Sequence, residues 1–550
     1  SLYKELAALK EMLQDYRERR MAQRSEPDDA ALEDAVMHKV ALANLDADCP
    51  RWAGEAFADY AERLYAYLRE LEQRLITAAL HVFGEAPPAE SQVVTVTEAL
   101  KARGAGPQQP ALCDVMAREL FGPTASYAEL AARARRGDPD ALRAREQVDD
   151  ACRQFVERAV FQGDSPAAAL HCATNNGLVL ASADAVALGE MTQLGRQMAR
   201  ALSDNRPELD AVVRGLSGRY IPPAPGGDLI RDGLNVLPTG RNIHAIDPWR
   251  IPSALAYARG AQIADALLAK HLAEQDGQYP ETIAQVLWGL DTIKTKGESV
   301  AIVLRLIGAR PHYDGQGKIS HYALIPLEEL GRPRIDVLMN LSPIFRDTFE
   351  HTMDHLDRLV KDAARADEPP EMNFIKKHVQ EAMREGMTFE QATARLFTQQ
   401  PGQYGTYVDD MVEDSAWQTQ DDLAQLFIRR NAYAYGGGRA GQPAPEVLTR
   451  LLRTVGRVAH EVDSVEFGVA DIDHYFSSSG ALHLAARKHS GQPVKLNYIE
   501  SYTAEARIDD LERVLRAEYR TKLLNPRWYE GMLKHGYSGA TEISNRFTYI

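Results

Sequence analysis

Two short apolar runs, each followed by a helical pattern, restrict the architecture of this chain more than any other feature. Residues 282–289 (Thr-Ile-Ala-Gln-Val-Leu-Trp-Gly) form the first run. A run this short and this apolar suits a parallel strand buried on both faces. Residues 298–307 continue with helical periodicity, 334–341 repeat the apolar run, and 344–360 repeat the helix. Strand, helix, strand, helix at this spacing predicts a parallel sheet of the doubly wound type. Residues 1–220 read instead as a helical bundle, with Leu2, Leu6, Leu9 and Leu13 at helical spacing. Pro/Gly-rich breaks interrupt it at 84–88 and 104–110, and Ile221-Pro-Pro-Ala-Pro-Gly-Gly-Asp228 ends it. The predicted class is therefore mixed α/β: a bundle over 1–220, a parallel-sheet region with rim loops over 221–365, and a mainly helical region over 366–550.

The segment Leu237-Pro-Thr-Gly-Arg-Asn-Ile-His-Ala-Ile-Asp-Pro-Trp-Arg-Ile-Pro-Ser253 stands apart. Pro238, Pro248 and Pro252 each fix φ and remove a backbone donor, which excludes both a helix and a central strand. Ile243, Ile246, Trp249 and Ile251 supply apolar anchors, so an ordered loop is expected. Long ordered loops in compact chains are usually functional. This one presents Arg241, Asn242, His244 and Asp247: a cation, an amide, an imidazole and a carboxylate.

Composition limits the function classes. The chain has 550 residues, 45% hydrophobic and 26% charged, in the range of ordinary globular proteins. Its 78 acidic residues against 63 basic give a net charge of −15, which argues against a nucleic-acid partner. Cys49, Cys113, Cys152 and Cys172 show no CxxC spacing and fit a reducing cytoplasm. Neither a signal peptide nor an apolar run of the ~18 residues that span a bilayer is recognisable. The chain opens at Ser1 on a helical pattern and reads as a fragment of a longer protein.

In an open parallel sheet, ligands bind beyond the carboxyl ends of the strands. The first predicted strand is followed there by Asp291, Thr292, Lys294 and Thr295, with Glu298 opening the next helix. The second ends at Asn340 and Ser342, then Arg346 and Asp347. Alone, Asp347 would merely complement a helix dipole and Arg346 would be a surface cation. Two such clusters on one rim point to a site. Other signals are weaker. His351 and His355 have the spacing of a metal-ligating pair but read better as a solvated helix face. Asp471-Ile-Asp-His-Tyr-Phe476 has the groups to hold a cation. Gly436-Gly-Gly-Arg-Ala-Gly441 reads as a flexible surface loop. No Walker A pattern occurs, so any ATP hydrolysis falls to partner subunits.

Several segments resemble the large subunit of the tetrapyrrole metal chelatases, the porphyrin-binding (H) subunit of magnesium chelatase and the large subunit of aerobic cobaltochelatase. They are the 237–253 loop, Tyr279-Pro-Glu-Thr-Ile-Ala-Gln-Val-Leu-Trp-Gly289, Glu329-Leu-Gly-Arg-Pro-Arg-Ile-Asp-Val337 with Ile344-Phe-Arg-Asp347, Leu524-Asn-Pro-Arg-Trp-Tyr-Glu-Gly-Met532 and His535-Gly-Tyr-Ser-Gly539. The resemblance runs from about Leu80 to the C-terminus. It also covers Leu80-His-Val-Phe-Gly-Glu-Ala-Pro-Pro88, where the family carries a His-x-x-Gly-Glu pattern. On its own residues that segment reads as a helix end, with Glu85 left in a turn.

The resemblance implies insertion of a divalent metal into a tetrapyrrole, driven by an AAA+ ATPase subunit and its adaptor. Such chemistry explains the residue types. Two pyrrolic N–H protons must leave, which calls for a positioned base; the resemblance assigns this to Glu85 with His81 beside it. Porphyrin propionates call for cations and amide donors, here Arg241, Asn242, His244, Lys294, Asn340 and Arg346. Mg²⁺ prefers oxygen ligands and holds its waters tightly, which suits Asp247, Asp291 and Asp347. Asn242–Asp247, Asp291–Thr295 and Asp463–Phe476 resemble the magnesium branch, with protoporphyrin IX as substrate. Segments 535–543 and 405–407 lean towards the cobalt branch, with Co²⁺ and a corrinoid precursor. Magnesium is favoured. A non-enzymatic helical scaffold is the alternative from another class.

Overall fold

The structure is a computed structural model that describes residues 2–21, 29–74, 76, 79–102, 109–135, 138–174, 182–244, 247–464, 467–502 and 506–549. Twelve strands occur among them: β1 (Pro223–Pro225), β2 (Asn242–His244), β3 (Thr282–Leu287), β4 (Ala309–Tyr313), β5 (Ile319–Leu324), β6 (Asp336–Leu341), β7 (Leu396–Thr398), β8 (Tyr433–Gly436), β9 (Arg439–Pro443), β10 (Val455–Val462), β11 (Lys495–Glu500) and β12 (Arg507–Asp510). Eight of these form one sheet in the order β12-β11-β10-β3-β6-β7-β8-β9. The strands from β11 to β7 pair in parallel, while β12, β8 and β9 close the edges antiparallel.

The two apolar runs become β3 and β6, which pair directly, Thr282 with Asp336 through Leu287 with Leu341. Every residue of both is buried, because helices cover each face. On one face Ile263 and Leu267 of Ala254–Glu274, Val300 and Val303 of Glu298–Ile307, and Leu356 of Glu350–Arg365 pack against Ile283 and Met339. On the other, Phe427, Leu448 and Leu482 pack against Ala284, Leu338 and Val458.

The region after 365 departs from the expectation of a mainly helical segment. It does carry many helices, but β7 to β12 also lie there and complete the same sheet. A boundary near 365 would therefore cut one sheet. The strand β10 is hidden in sequence because Arg457, His460 and Glu461 interrupt it; all three are buried by tertiary partners that the local pattern does not show. The Gly436–Gly438 stretch is likewise not a loose loop. It is the turn joining β8 to β9, with positive φ at all three glycines.

The N-terminal helices bury two separate apolar clusters. Leu9, Leu13, Val40, Tyr60 and Leu64 form one, and Val96, Met116, Phe155, Leu188 and Met198 form the other. The first is tied to the far end of the chain: Arg520 donates to the Ala43 and Asn44 carbonyls and pairs with Asp48, and Arg513 lies 3.0 Å from Glu70. The break at 84–88 is real, but the preceding helix already ends at Gln73. Residues 104–108 of the second break lie outside the described residues. Among the described residues, no helix is long and apolar enough to cross a membrane.

Candidate active site

The chain runs from β3 to β6 and β7 on one side, and from β10 to β11 on the other. Between β3 and β10 the connections diverge, which opens a crevice at their carboxyl ends, the usual ligand position in such sheets. Four acids converge there. Asp291 follows β3 in the short helix Gly289–Thr295, and Glu298 opens the next helix. Glu461 is the penultimate residue of β10, and Asp463 stands just beyond it. All four are buried.

The acids face one another in two pairs. Burial and the nearby Asp463 push the Asp291 carboxyl well above its usual range, against the pull of Lys294 and Arg231. Burial and the facing Glu298 do the same to Glu461. Ser501 donates to Glu461 Oε1 at 2.7 Å, and Arg259 Nε lies 2.7 Å from Glu298 Oε1. The second oxygen of each Glu has no hydrogen-bond donor among the described residues. Burial and the facing carboxylate thus both oppose charge on Glu461, which suits it to take up a proton. Lys294 Nζ sits 3.4 Å from Asp463 Oδ2.

Behind the acids, on the opposite face of β10, lies an imidazole in an aromatic box. Trp288, Tyr475 and Tyr498 ring centroids stand 4.4, 5.0 and 5.8 Å from that of His460. Neither ring nitrogen of His460 has a partner among the described residues, and burial lowers its pKa to about 3. It is therefore a neutral group at physiological pH. The Tyr475 hydroxyl is pushed up by burial and by Asp291 and Asp463.

The Pro-rich loop lies over this rim. The Ser253 amide donates to the Lys296 carbonyl at 3.0 Å, and a Cβ on Gly297 would stand 2.9 Å from Pro252 Cα. Arg231 reaches the Asp463 carbonyl, and Lys296 pairs with Asp232 at 2.7 Å. The other end of the loop meets the bundle: a Cβ on Gly240 (φ +81°) would stand 2.6 Å from Glu208 Cα. Gly240→Ala is expected to cost about 1–3 kcal/mol, combining left-handed strain with a backbone clash. A lowered thermal midpoint checks this; an unchanged one would show that the loop does not seat on the bundle.

The sequence candidates fall into distinct places. Asp291 and Lys294 lie in the crevice. Asn340 is buried near the carboxyl end of β6. The two rim clusters do touch, since the Gly289 amide donates to Ser342 Oγ at 3.0 Å. However, Arg346 turns away. Its guanidinium clasps Asp347 at 2.6 and 2.9 Å and donates to the Gln400 carbonyl at 2.8 Å. Arg346 and Asp347 thus hold the 399–404 loop, and Tyr404 also donates to Asp347. Arg241 is spent on its own loop, donating to the Asn235, Leu237 and Pro238 carbonyls. Asp247 caps Pro248–Arg250 by accepting from the Trp249 amide. Asn242 is exposed in β2; the His244 side chain and Ile246 lie outside the described residues.

His81 and Glu85 sit in an exposed turn rather than at a helix end, with Gly84 at φ +78°. The buried acid there is Glu208, which the sequence pattern does not single out. It accepts from the Gly84 amide at 2.8 Å and lies 2.9 Å from His81 Nε2. Burial opposes its charge, but the Gly84 amide and His81 outweigh that and hold its carboxyl below the usual range. The Glu85 carbonyl accepts from Asn205, while its carboxylate is exposed. Exposed Phe83 and Leu209 flank the turn, and Ile243 is exposed on the adjoining loop.

Glu461, Asp463 and His460 are likewise absent from the sequence candidates. Their signal was present: an apolar run ending in a polar cluster, as at β3 and β6, but broken up by its own buried polar residues.

The CobN/magnesium chelatase family model matches residues 1–550. The chain belongs to the CobN/magnesium chelatase family. It is 57% identical over its whole length to the magnesium-chelatase H subunit of Chlorobaculum parvum, covering 43% of that protein. It is 34% identical, again over its whole length, to the chloroplastic magnesium-chelatase ChlH subunit of Oryza sativa subsp. japonica, covering 41%. The catalytic subunit of cobaltochelatase from Mycobacterium tuberculosis superposes with a TM-score of 0.84 at 28% identity, over 99% of this chain and 45% of that one. The chain thus spans less than half the length of the relatives it matches. The CobN/magnesium chelatase fold accordingly includes both the bundle and the sheet described here.

Proposed function

We propose that this chain is the porphyrin-handling part of an ATP-dependent magnesium chelatase, which inserts Mg²⁺ into protoporphyrin IX in the cytoplasm. An AAA+ ATPase subunit and its adaptor supply ATP hydrolysis. The observation that carries the choice of metal branch is the 57% identity to a magnesium-chelatase H subunit across the whole chain, against 28% to the cobaltochelatase catalytic subunit. The crevice supports it chemically. Its acids offer only oxygen, the ligand type that a hard, strongly hydrated cation takes.

In this reading Asp291 and Asp463 take the incoming Mg²⁺, with Lys294 balancing their charge until it arrives. The Glu298–Glu461 pair offers one carboxylate for each of the two protons released from the pyrrolic nitrogens. Asp247 and Asp347 are left out, because cap and ion-pair contacts already engage them. A second reading places the base at Glu85. The exposed apolar residues around that turn favour it, since a porphyrin is a flat apolar disc.

The test is an insertion assay with purified partner subunits, ATP and free-base porphyrin, run with Mg²⁺ and Co²⁺ side by side. Mg²⁺ insertion that requires the partner subunits is expected, with no ATP turnover by this chain alone. Insertion of Co²⁺ but not Mg²⁺ would move the protein to the cobalt branch. ATP turnover that survives purification would overturn the division of labour.

A further inference from the structure

The helix Glu350–Arg365 does not present its two histidines to solvent, as the sequence suggested. His355 is buried, and its Nε2 lies 2.8 Å from Nε2 of His351. The Tyr322 ring packs on His355 with centroids 5.5 Å apart. Trp249, from the rim loop, covers His351 with centroids only 3.7 Å apart. His355 Nδ1 is buried without a partner among the described residues. From this geometry we infer a binding site for a borderline transition ion of the Zn²⁺, Co²⁺, Ni²⁺ or Cu²⁺ class, held by His351 and His355 beneath Trp249.

The spacing is close to what a metal needs. Two imidazole nitrogens at about 2.0–2.1 Å from one ion stand roughly 2.9–3.4 Å apart, for angles from square to tetrahedral. Opening the pair by a few tenths of an ångström is enough. The backbone at Ile319 hydrogen-bonds His351, which orients the ring as a carbonyl behind a metal-bound imidazole does. When both imidazoles carry their proton on Nδ1, the two Nε2 lone pairs face the same gap, and an ion is taken up there with no net proton released. Asp354 favours a cation here, and Arg358 opposes it. Imidazole selects such ions over Mg²⁺, so this site is distinct in chemistry from the oxygen-lined crevice. Solvent completes the coordination shell. Because Trp249 belongs to the loop over the crevice, occupancy is coupled to that loop.

The experiment titrates the full chain with Ni²⁺ or Cu²⁺, which quench nearby indoles, and follows tryptophan emission. Saturable quenching at micromolar metal is expected, reversed by excess Zn²⁺ but not by Mg²⁺. Trp249→Phe should remove the saturable component while leaving Zn²⁺ binding measurable by calorimetry. His351→Gln, at a partly exposed position, and His355→Gln should each weaken binding at least tenfold with an unchanged far-ultraviolet spectrum. Quenching that is non-saturable, or equal in wild type and His351→Gln, would overturn the site. Its loss would leave the proposed Mg²⁺ insertion at the crevice untouched.

Discussion

Glu461→Gln is expected to lower the rate of metal insertion by about 10²-fold or more, the scale of a lost general base. The substitution keeps the shape of the side chain and its contact with Ser501, but it removes the proton-accepting carboxyl that faces Glu298. Porphyrin affinity should hold, because the residue is buried at the strand end. A second readout separates this role from damage to the fold. The Glu461 carboxyl is raised in the folded chain, so the native state binds more protons than the unfolded one. Its stabilisation is complete below the ordinary value of 4.5 and declines as pH rises through the raised value. The Gln variant should therefore lose less stability than wild type between pH 5 and neutrality. Glu85→Gln run in parallel decides between the two readings: near-normal insertion by Glu461→Gln, with a collapse in Glu85→Gln, would move the base to the exposed turn.

Arg395→Met should be the most damaging single change to stability. Arg395 and Asp336 are fully buried, and the guanidinium donates to both carboxylate oxygens at 2.7 and 3.0 Å. His378 bridges Asp336 at 2.8 Å and Glu281 at 3.0 Å, tying the starts of β3, β6 and β7 to the helix Phe374–Arg384. Removing the arginine strands a buried carboxylate, which costs about 3–5 kcal/mol. A sharp fall in the thermal midpoint is expected, partly recovered by adding Asp336→Asn. A wild-type midpoint in the single variant would mean that the network does not hold the sheet. The pH signs follow from the same contacts. Burial would raise the Asp336 carboxyl, but Arg395 and His378 outweigh it and bring it to about 2. Its contribution is present above 3.8 and lost as pH falls towards 2. His378 is raised by Asp336 and Glu281 despite its burial, so its contribution is full below 6.5 and fades as pH rises through its folded value.

Local pattern is enough for the elements whose burial is uniform. β3 and β6 are buried throughout and mostly apolar, as a strand covered on both faces is; the helix Leu511–Glu518 shows its period because one stripe, Val514 and Ala517, meets the core. The same holds for the Pro238–Pro252 loop, which is neither helix nor strand over most of its length, since proline geometry is local. Other features depend on long-range approach. β10 can bury its polar residues because Arg457 finds Asn497 and Glu274, and Glu461 finds Ser501, partners far away in the chain. Folding also sorted the candidate residues. Arg241 and Arg346 have the chemistry of substrate ligands, yet Arg241 turns onto the carbonyls of its own loop and Arg346 onto the Gln400 carbonyl. The pattern of residue types along a chain records which groups need partners. Which partner each one finds depends on the approach of elements hundreds of residues apart, and that approach placed the four acids in one crevice.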